Sequence, residues 1–276
     1  MTAPEQPLHE HLRRHARQRP DRAAVIWYGR AISWRELDDW SDAVGAHLQS
    51  LGVAKGEPVA LFMNNCPQYL LAHYAIQKIG AIVCPCGPLN KAHELQYQLQ
   101  DLQARVIIAA DNLLPIVEQV RGQTALAHVL AARYADLLPA QAAIAVPPEL
   151  QAAPAPLPAG VGDMLQLAQQ GAALGQRPRP VDIQLDDVAL MTYTSGTTGL
   201  PKGAMLSYGN ALFKTTVTAQ SAGIGADDVS LSVAPLYHIA GMLMGVNVPV
   251  LVGATQVLLL RFDPLAVLQA IHRWRV

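Results

Sequence analysis

Cysteine is scarce. Only three are present in 276 residues, Cys66, Cys84 and Cys86. That count excludes a disulfide framework. Cys84-Pro85-Cys86 has too short a spacer for the usual zinc pair, and no second ligand pair accompanies it. The thiols read instead as small apolar core groups, which fits a reducing, cytoplasmic location. Charge is sparse too, at 15% of residues and a net −1, with no block of one sign. A nucleic-acid partner is therefore not expected. The segment Met1–Pro7 lacks the basic-then-apolar order of a secretory signal. The one long apolar run, Leu243–Leu260, is interrupted by Asn247, Pro249, Gly253 and Gln256. It reads as two buried strands joined by a Gly-Ala turn rather than a membrane-spanning helix. Peripheral association with a membrane stays open.

What the sequence does have is Tyr193-Thr-Ser-Gly-Thr-Thr-Gly-Leu-Pro-Lys-Gly203. Its glycines let the backbone turn tightly and approach a ligand. Successive N–H groups in such a turn can converge on an anion. Thr194, Ser195, Thr197 and Thr198 add hydroxyls around Gly196 and Gly199, and Lys202 adds positive charge. A P-loop is excluded, because Pro201 precedes the lysine and Gly203 follows it.

The stretch closely resembles the phosphate loop of the adenylate-forming (AMP-binding) superfamily, and the match continues through Ala204-Met-Leu-Ser-Tyr-Gly-Asn210. Most relatives have histidine where this chain has Tyr208. Lys55-Gly-Glu-Pro-Val-Ala-Leu61, Gln77–Val83 and Pro88-Leu-Asn-Lys91 also look like early segments of that family, in the expected order.

The pattern along the chain agrees with an α/β fold. Residues 8–18 read as a helix, with His9, His11 and His15 on a solvated face. His11 and His15 are four apart, but no third metal ligand is near. Residues 23–28 read as a strand. Ser33-Trp-Arg-Glu36 has capping-box spacing ahead of a helix that buries Leu37, Trp40, Val44 and Leu48. Strands at 58–63, 81–84 and 105–110 alternate with helices at 66–79 and 91–102, the mark of a parallel sheet with helices on its faces. Residues 139–160 are rich in proline and alanine and read as an excursion with little capacity for a packed core.

A second chemical element, Ala234-Pro-Leu-Tyr-His-Ile-Ala-Gly-Met242, follows a strand at 229–233. Pro235 ends the strand, and ligands of open α/β sheets bind at carboxyl strand ends. It resembles the family's Pro-Leu-aromatic-His-x-x-Gly segment. The resemblance implies that Tyr237, His238 and Gly241 line the acyl pocket.

The resemblance implies a three-layer α/β fold of mostly parallel sheets with flanking helices, the incomplete N-terminal domain of an adenylate-forming enzyme. Residues 55–225 would form a first subdomain. Residues 20–54 and 226–276 would form part of a second, with the C-terminal domain absent. The implied reaction is that of an AMP-forming acyl-CoA synthetase: ATP and Mg2+ activate a carboxylic acid, most simply a fatty acid, and coenzyme A takes the acyl group. Thr194–Gly199 and Lys202 would hold the nucleotide, Thr194 would also contact the metal, and Lys202 and His238 would serve catalysis. An aryl-CoA or acyl-AMP ligase, or a truncated non-catalytic binding protein, stays open as an alternative. A complementing C-terminal chain stays open as a partner, and these 276 residues alone are expected to be inactive.

Overall fold

Strands and helices alternate along most of the chain. The computed structural model describes residues 6–151, 155–194 and 200–276. Helix α1 (Leu8–Gln18) leads into a hairpin, β1 (Ala23–Trp27) and β2 (Arg30–Ser33), and then α2 (Trp34–Ser50). The repeating units are β3 (Pro58–Phe62), α3 (Pro67–Lys78), β4 (Ile82–Cys86), α4 (Ala92–Leu102), β5 (Val106–Ala110), α5 (Leu114–Arg121) and β6 (His128–Ala132). There follow β7 (Val161–Asp163), α6 (Met164–Ala173), β8 (Val188–Tyr193), β9 (Gly203–Ser207), α7 (Tyr208–Ala222) and β10 (Val229–Ser232). Helix α8 (Ile239–Met242) continues through a π turn (Leu243–Asn247) into α9 (Val248–Val252), ahead of β11 (Thr255–Leu258) and α10 (Pro264–Trp274).

The strands form two sheets. The larger has the order β7-β6-β5-β3-β4-β8-β9 and is parallel except for β9. The smaller has the order β10-β11-β1-β2, so residues from both ends of the chain share it. Strands β4 and β5 are buried throughout, as expected where helices cover both sheet faces. Cys66, Cys84 and Cys86 are buried and free, and burial raises all three thiols well above their ordinary range.

Helix α3 starts on Pro67, whose fixed φ suits a first helical position, and is buried on every side. Its polar groups therefore need internal partners. Gln68 Nε2 donates to Arg133 O at 2.6 Å and Tyr74 OH to Val246 O at 3.0 Å. Lys78 Nζ lies 2.5 Å from Asp38 Oδ1 and 2.8 Å from Asp42 Oδ1. Arg13 and Arg177 also pair with Asp42. Arg177 reaches Asp39 as well, so three carboxylates and three cations share one cluster in which each charge has a partner of opposite sign. Ser33 and Glu36 form the expected capping box at the start of α2.

Three expectations need correction. First, His9, His11 and His15 are buried, not solvated. Helix α1 packs against α2 and α9. His15 Nε2 lies 3.0 Å from Val250 O, and its ring sits 4.9 Å from that of Trp34. Gly253 makes the room, since a Cβ there would lie 2.7 Å from the His15 ring. Second, the first half of the apolar run is helical. Only Thr255–Leu258 is a strand, and Gly253 turns the chain at φ +82°. Packing overrides the strand preference of valine, and the π turn just before Pro249 relieves the clash its ring makes in a regular helix. Third, the excursion is docked over residues 143–150. Ile144 and Leu150 are buried, Ala143 N donates to Tyr28 O at 2.8 Å, and Glu149 pairs with Arg261 at 3.0 Å.

Candidate functional site

Strand β8 lies between β4 and β9, and its carboxyl end opens into the glycine- and threonine-rich stretch. Ser195, Gly196, Thr197, Thr198 and Gly199 lie outside the described residues. The two ends of that stretch are described. Thr194 N donates to Lys202 O at 3.0 Å, and Lys202 N approaches Thr194 Oγ1 at 3.4 Å. The β8–β9 pairing thus continues to the base of the loop, where the Thr194 and Lys202 side chains are exposed. Both ends are also tied to α4. Tyr193 OH donates to Asp101 Oδ2 at 2.5 Å, and Tyr97 OH donates to Pro201 O at 2.8 Å. The Tyr97 and Tyr193 rings meet edge to face, 6.5 Å apart. Burial, then the bond to the Asp101 carboxylate and its charge, raise the Tyr193 phenol, so it stays a donor.

The second element begins where β10 ends. Asn65, just past β3 and 2% exposed, fixes it with one amide. Its Nδ2 donates to Ala234 O at 3.0 Å and to Leu259 O at 3.2 Å, while its Oδ1 accepts from Leu236 N at 2.8 Å. The ends of β3, β10 and β11, from both sheets, are therefore joined by one side chain. Leu236 is buried, Tyr237 half-buried and His238 exposed, with the two rings 4.5 Å apart. Burial raises the Tyr237 phenol. Gly241 is demanded by a close approach: a Cβ there would lie 2.0 Å from Pro235 O.

Strand β4 links the two elements. Val83 stands opposite Leu190, which brings Cys86 alongside Tyr193. At the next residue, a Cβ on Gly87 would lie 3.9 Å from Tyr237 Cε2. The structure therefore brings Thr194, Lys202 and Tyr237 to one edge: Thr194 follows the carboxyl end of β8, Lys202 precedes the antiparallel β9, and Tyr237 abuts the residue after β4. An open α/β sheet takes its ligands at that edge. A cavity of about 560 Å3 at the ends of β5 and β6, lined by Asp111, Tyr134 and Glu149 among others, includes none of these residues. Among the described residues no group of three His, Cys, Asp or Glu could hold a metal ion.

Sequence reasoning did not single out Asn65, Gly87, Tyr97 or Asp101. Asn65 carries one usable signal, since it follows a strand in an α/β pattern and so sits at a carboxyl edge. Tyr97 and Asp101 are four apart on one helix and share a face, but nothing in the sequence says what that face meets.

Fold and loop base together define an α/β protein whose glycine- and threonine-rich stretch leaves the larger sheet at the end of β8. The match to the family of AMP-binding enzymes extends over residues 12–276, so the chain belongs to that family. It is 31% identical over 277 residues to a long-chain-fatty-acid–CoA ligase of Bacillus subtilis (strain 168), covering 98% of this chain and 49% of the relative. It is 29% identical over 246 residues to a crotonobetaine/carnitine–CoA ligase of Escherichia coli (strain K12 / DH10B), covering 88% and 43%. Among solved structures, a long-chain-fatty-acid–CoA ligase from Archaeoglobus fulgidus superposes with TM-score 0.82 at 22% identity, covering 100% of this chain and 51% of the other. An anthranilate–CoA ligase in complex with anthranoyl-AMP gives TM-score 0.75 at 25% identity, covering 94% and 46%. The chain thus spans about half the length of the relatives it matches.

Proposed function

We propose that this protein activates a carboxylic acid with ATP and passes the acyl group to coenzyme A, with a fatty acid as the preferred substrate. A carboxylate oxygen attacks the α-phosphorus, the bond to pyrophosphate breaks, and an acyl-adenylate forms. The thiol of coenzyme A, losing its proton, then attacks the acyl carbon and AMP leaves. The first step joins two anions, so it needs fixed donors and positive charge around the phosphates. Lys202 supplies charge, and the stretch from Thr194 to Gly199 supplies hydroxyls and backbone N–H groups. Thr194 would offer one ligand to Mg2+, which would supply further positive charge at the phosphates. Tyr237, His238 and Gly241 shape the acyl side, and His238 serves the reacting carbonyl.

One observation carries this reading. The base of the hydroxyl-rich loop stands at the end of β8, and Tyr237 reaches the end of the strand beside it. The fatty-acid choice is supported by the names of the relatives. No helix among the described residues is long and apolar enough to cross a membrane.

The test is ATP–pyrophosphate exchange with the protein expressed from its complete reading frame, driven by a panel of aliphatic and aromatic acids. Exchange should depend on added acid and be greatest with long-chain fatty acids. Preference for benzoate-type acids would move the assignment to an aryl-CoA ligase. No exchange above the acid-free background would defeat it.

A further inference from the structure

We propose that Tyr97 and Asp101 of α4 are positioning residues for the nucleotide, setting the separation and direction of the two ends of the phosphate loop. The inference rests on the ATP-dependent reading given above and deepens it.

A loop that holds phosphates through backbone N–H groups works only if its two ends are fixed. The β8–β9 pairing fixes them relative to each other, but a two-stranded pairing at a sheet edge is easily twisted. Strand β9 is such an edge, since it ends the seven-stranded order. Something outside the hairpin must hold its tip, and α4 supplies that hold twice. Asp101 accepts from Tyr193 on the outgoing strand at 2.5 Å. Tyr97, one turn earlier on the same face, donates to the carbonyl of Pro201 on the returning strand at 2.8 Å. The two tyrosine rings contact each other and close the gap between these bonds. Helix α4 is itself anchored by buried Leu95, Leu99 and Leu102.

The same unit reaches the acyl element. In the connection from β4 to α4, Asn90 N donates to Gly87 O at 2.8 Å, and Asn90 Nδ2 donates to Gln98 Oε1 at 2.9 Å. Gly87 is the residue that abuts Tyr237. One hydrogen-bonded segment, residues 87–101, therefore meets Tyr237 at its start and the loop ends at its finish. It keeps nucleotide and acyl group in register, which is the geometric demand of in-line attack on the α-phosphorus.

The test uses the protein from its complete reading frame, with Tyr97→Phe, Asp101→Ala, Asp101→Asn, Tyr193→Phe and the double variant Asp101→Ala/Tyr193→Phe. Asp101→Ala and Tyr193→Phe should each raise the KM for ATP in pyrophosphate exchange about three- to tenfold, the range of one lost hydrogen bond of ordinary net strength at a solvent-accessible site. Their thermal midpoints should stay at the parent value. Asp101→Asn keeps an acceptor and should restore most of the loss. The double variant should match either single one, because both remove the same bond. Tyr97→Phe should also speed hydrogen exchange at the Thr194 amide, whether or not the protein is active. An active parent with unchanged KM for ATP in all variants, or effects that multiply in the double variant, would overturn the proposal. If the parent shows no exchange activity with any acid, the functional reading fails instead. The Thr194 amide then decides the clamp, and unaltered exchange there would overturn it.

Discussion

Asn65 is a side chain on which both sheets meet beside the candidate site, and its substitutions separate hydrogen bonding from packing. Asn65→Ala strands two carbonyl oxygens and one N–H. Leu259 O and Leu236 N are bonded in the buried interior while Ala234 is exposed, so at about 1 kcal/mol or more for each buried partner left unmet the loss should be about 2 kcal/mol or more. Asn65→Asp keeps the shape and the bond from Leu236 N but replaces the donor with an oxygen facing two carbonyl oxygens at 3.0 and 3.2 Å. It should be at least as damaging as alanine at pH 7.5. The repulsion raises the new carboxyl's folded pKa above its unfolded value. The deficit is therefore full above the folded pKa and shrinks as pH falls through it, when the protonated group can donate to one carbonyl. Urea melts at pH 7.5 and pH 5 read both effects through the midpoint, at constant slope. An Asn65→Asp protein as stable as the parent at pH 7.5, or one whose deficit grows on acidification, would refute the reasoning.

Other outcomes follow from the same geometry. Burial lowers His9 and His73 to about 3 and His15 to about 4, below the ordinary value of 6.5. Each then contributes stability that is whole above pH 6.5 and drains away as pH falls, by about 1.4 kcal/mol per pH unit for each ring. Among the described residues neither ring nitrogen of His73 has a hydrogen-bond partner, so His73→Leu should reduce the loss between pH 7.5 and pH 5 by about 2 kcal/mol in denaturant melts. An unchanged pH slope would show that His73 does not titrate on unfolding. Gly241→Ala places a Cβ 2.0 Å from Pro235 O, so the turn carrying His238 must open. We expect a stability loss of about 3 kcal/mol or more together with loss of adenylation, and a protein of normal midpoint and activity would contradict this. Residues 1–276 expressed alone should self-associate, since Met205, Phe213, Phe262, Leu265 and Leu268 are exposed apolar side chains. A monodisperse monomer by light scattering would count against it.

Much of this was legible in the sequence because local rules and tertiary need agreed. The capping box at Ser33, the proline that opens α3 and the alternation of apolar strands with helices each state a physical preference that packing reinforces. The loop and the Tyr237–His238 element stand out in the sequence as candidates because a ligand site would restrict their residue types. What failed to show was set by distant neighbours. The α1 histidines look solvated until Gly253, more than two hundred residues on, makes room for His15. Valines at 246–252 favour a strand, yet they lie in the π turn and α9, where packing decides. Asn65 and Asp101 read as ordinary polar residues, because their worth depends on partners 171 and 92 positions away.

Under the proposed function, the loop between β8 and β9 handles the phosphates of ATP during carboxylate activation. Lys202 tests it most directly, as an exposed cation at the loop's base whose removal disturbs no packing. Fatty-acid-dependent pyrophosphate exchange should be compared for the parent and Lys202→Ala at low ATP, each from the complete reading frame. The account expects a slowdown of about tenfold or more with an unaltered thermal midpoint. An equal rate in the two proteins would contradict it.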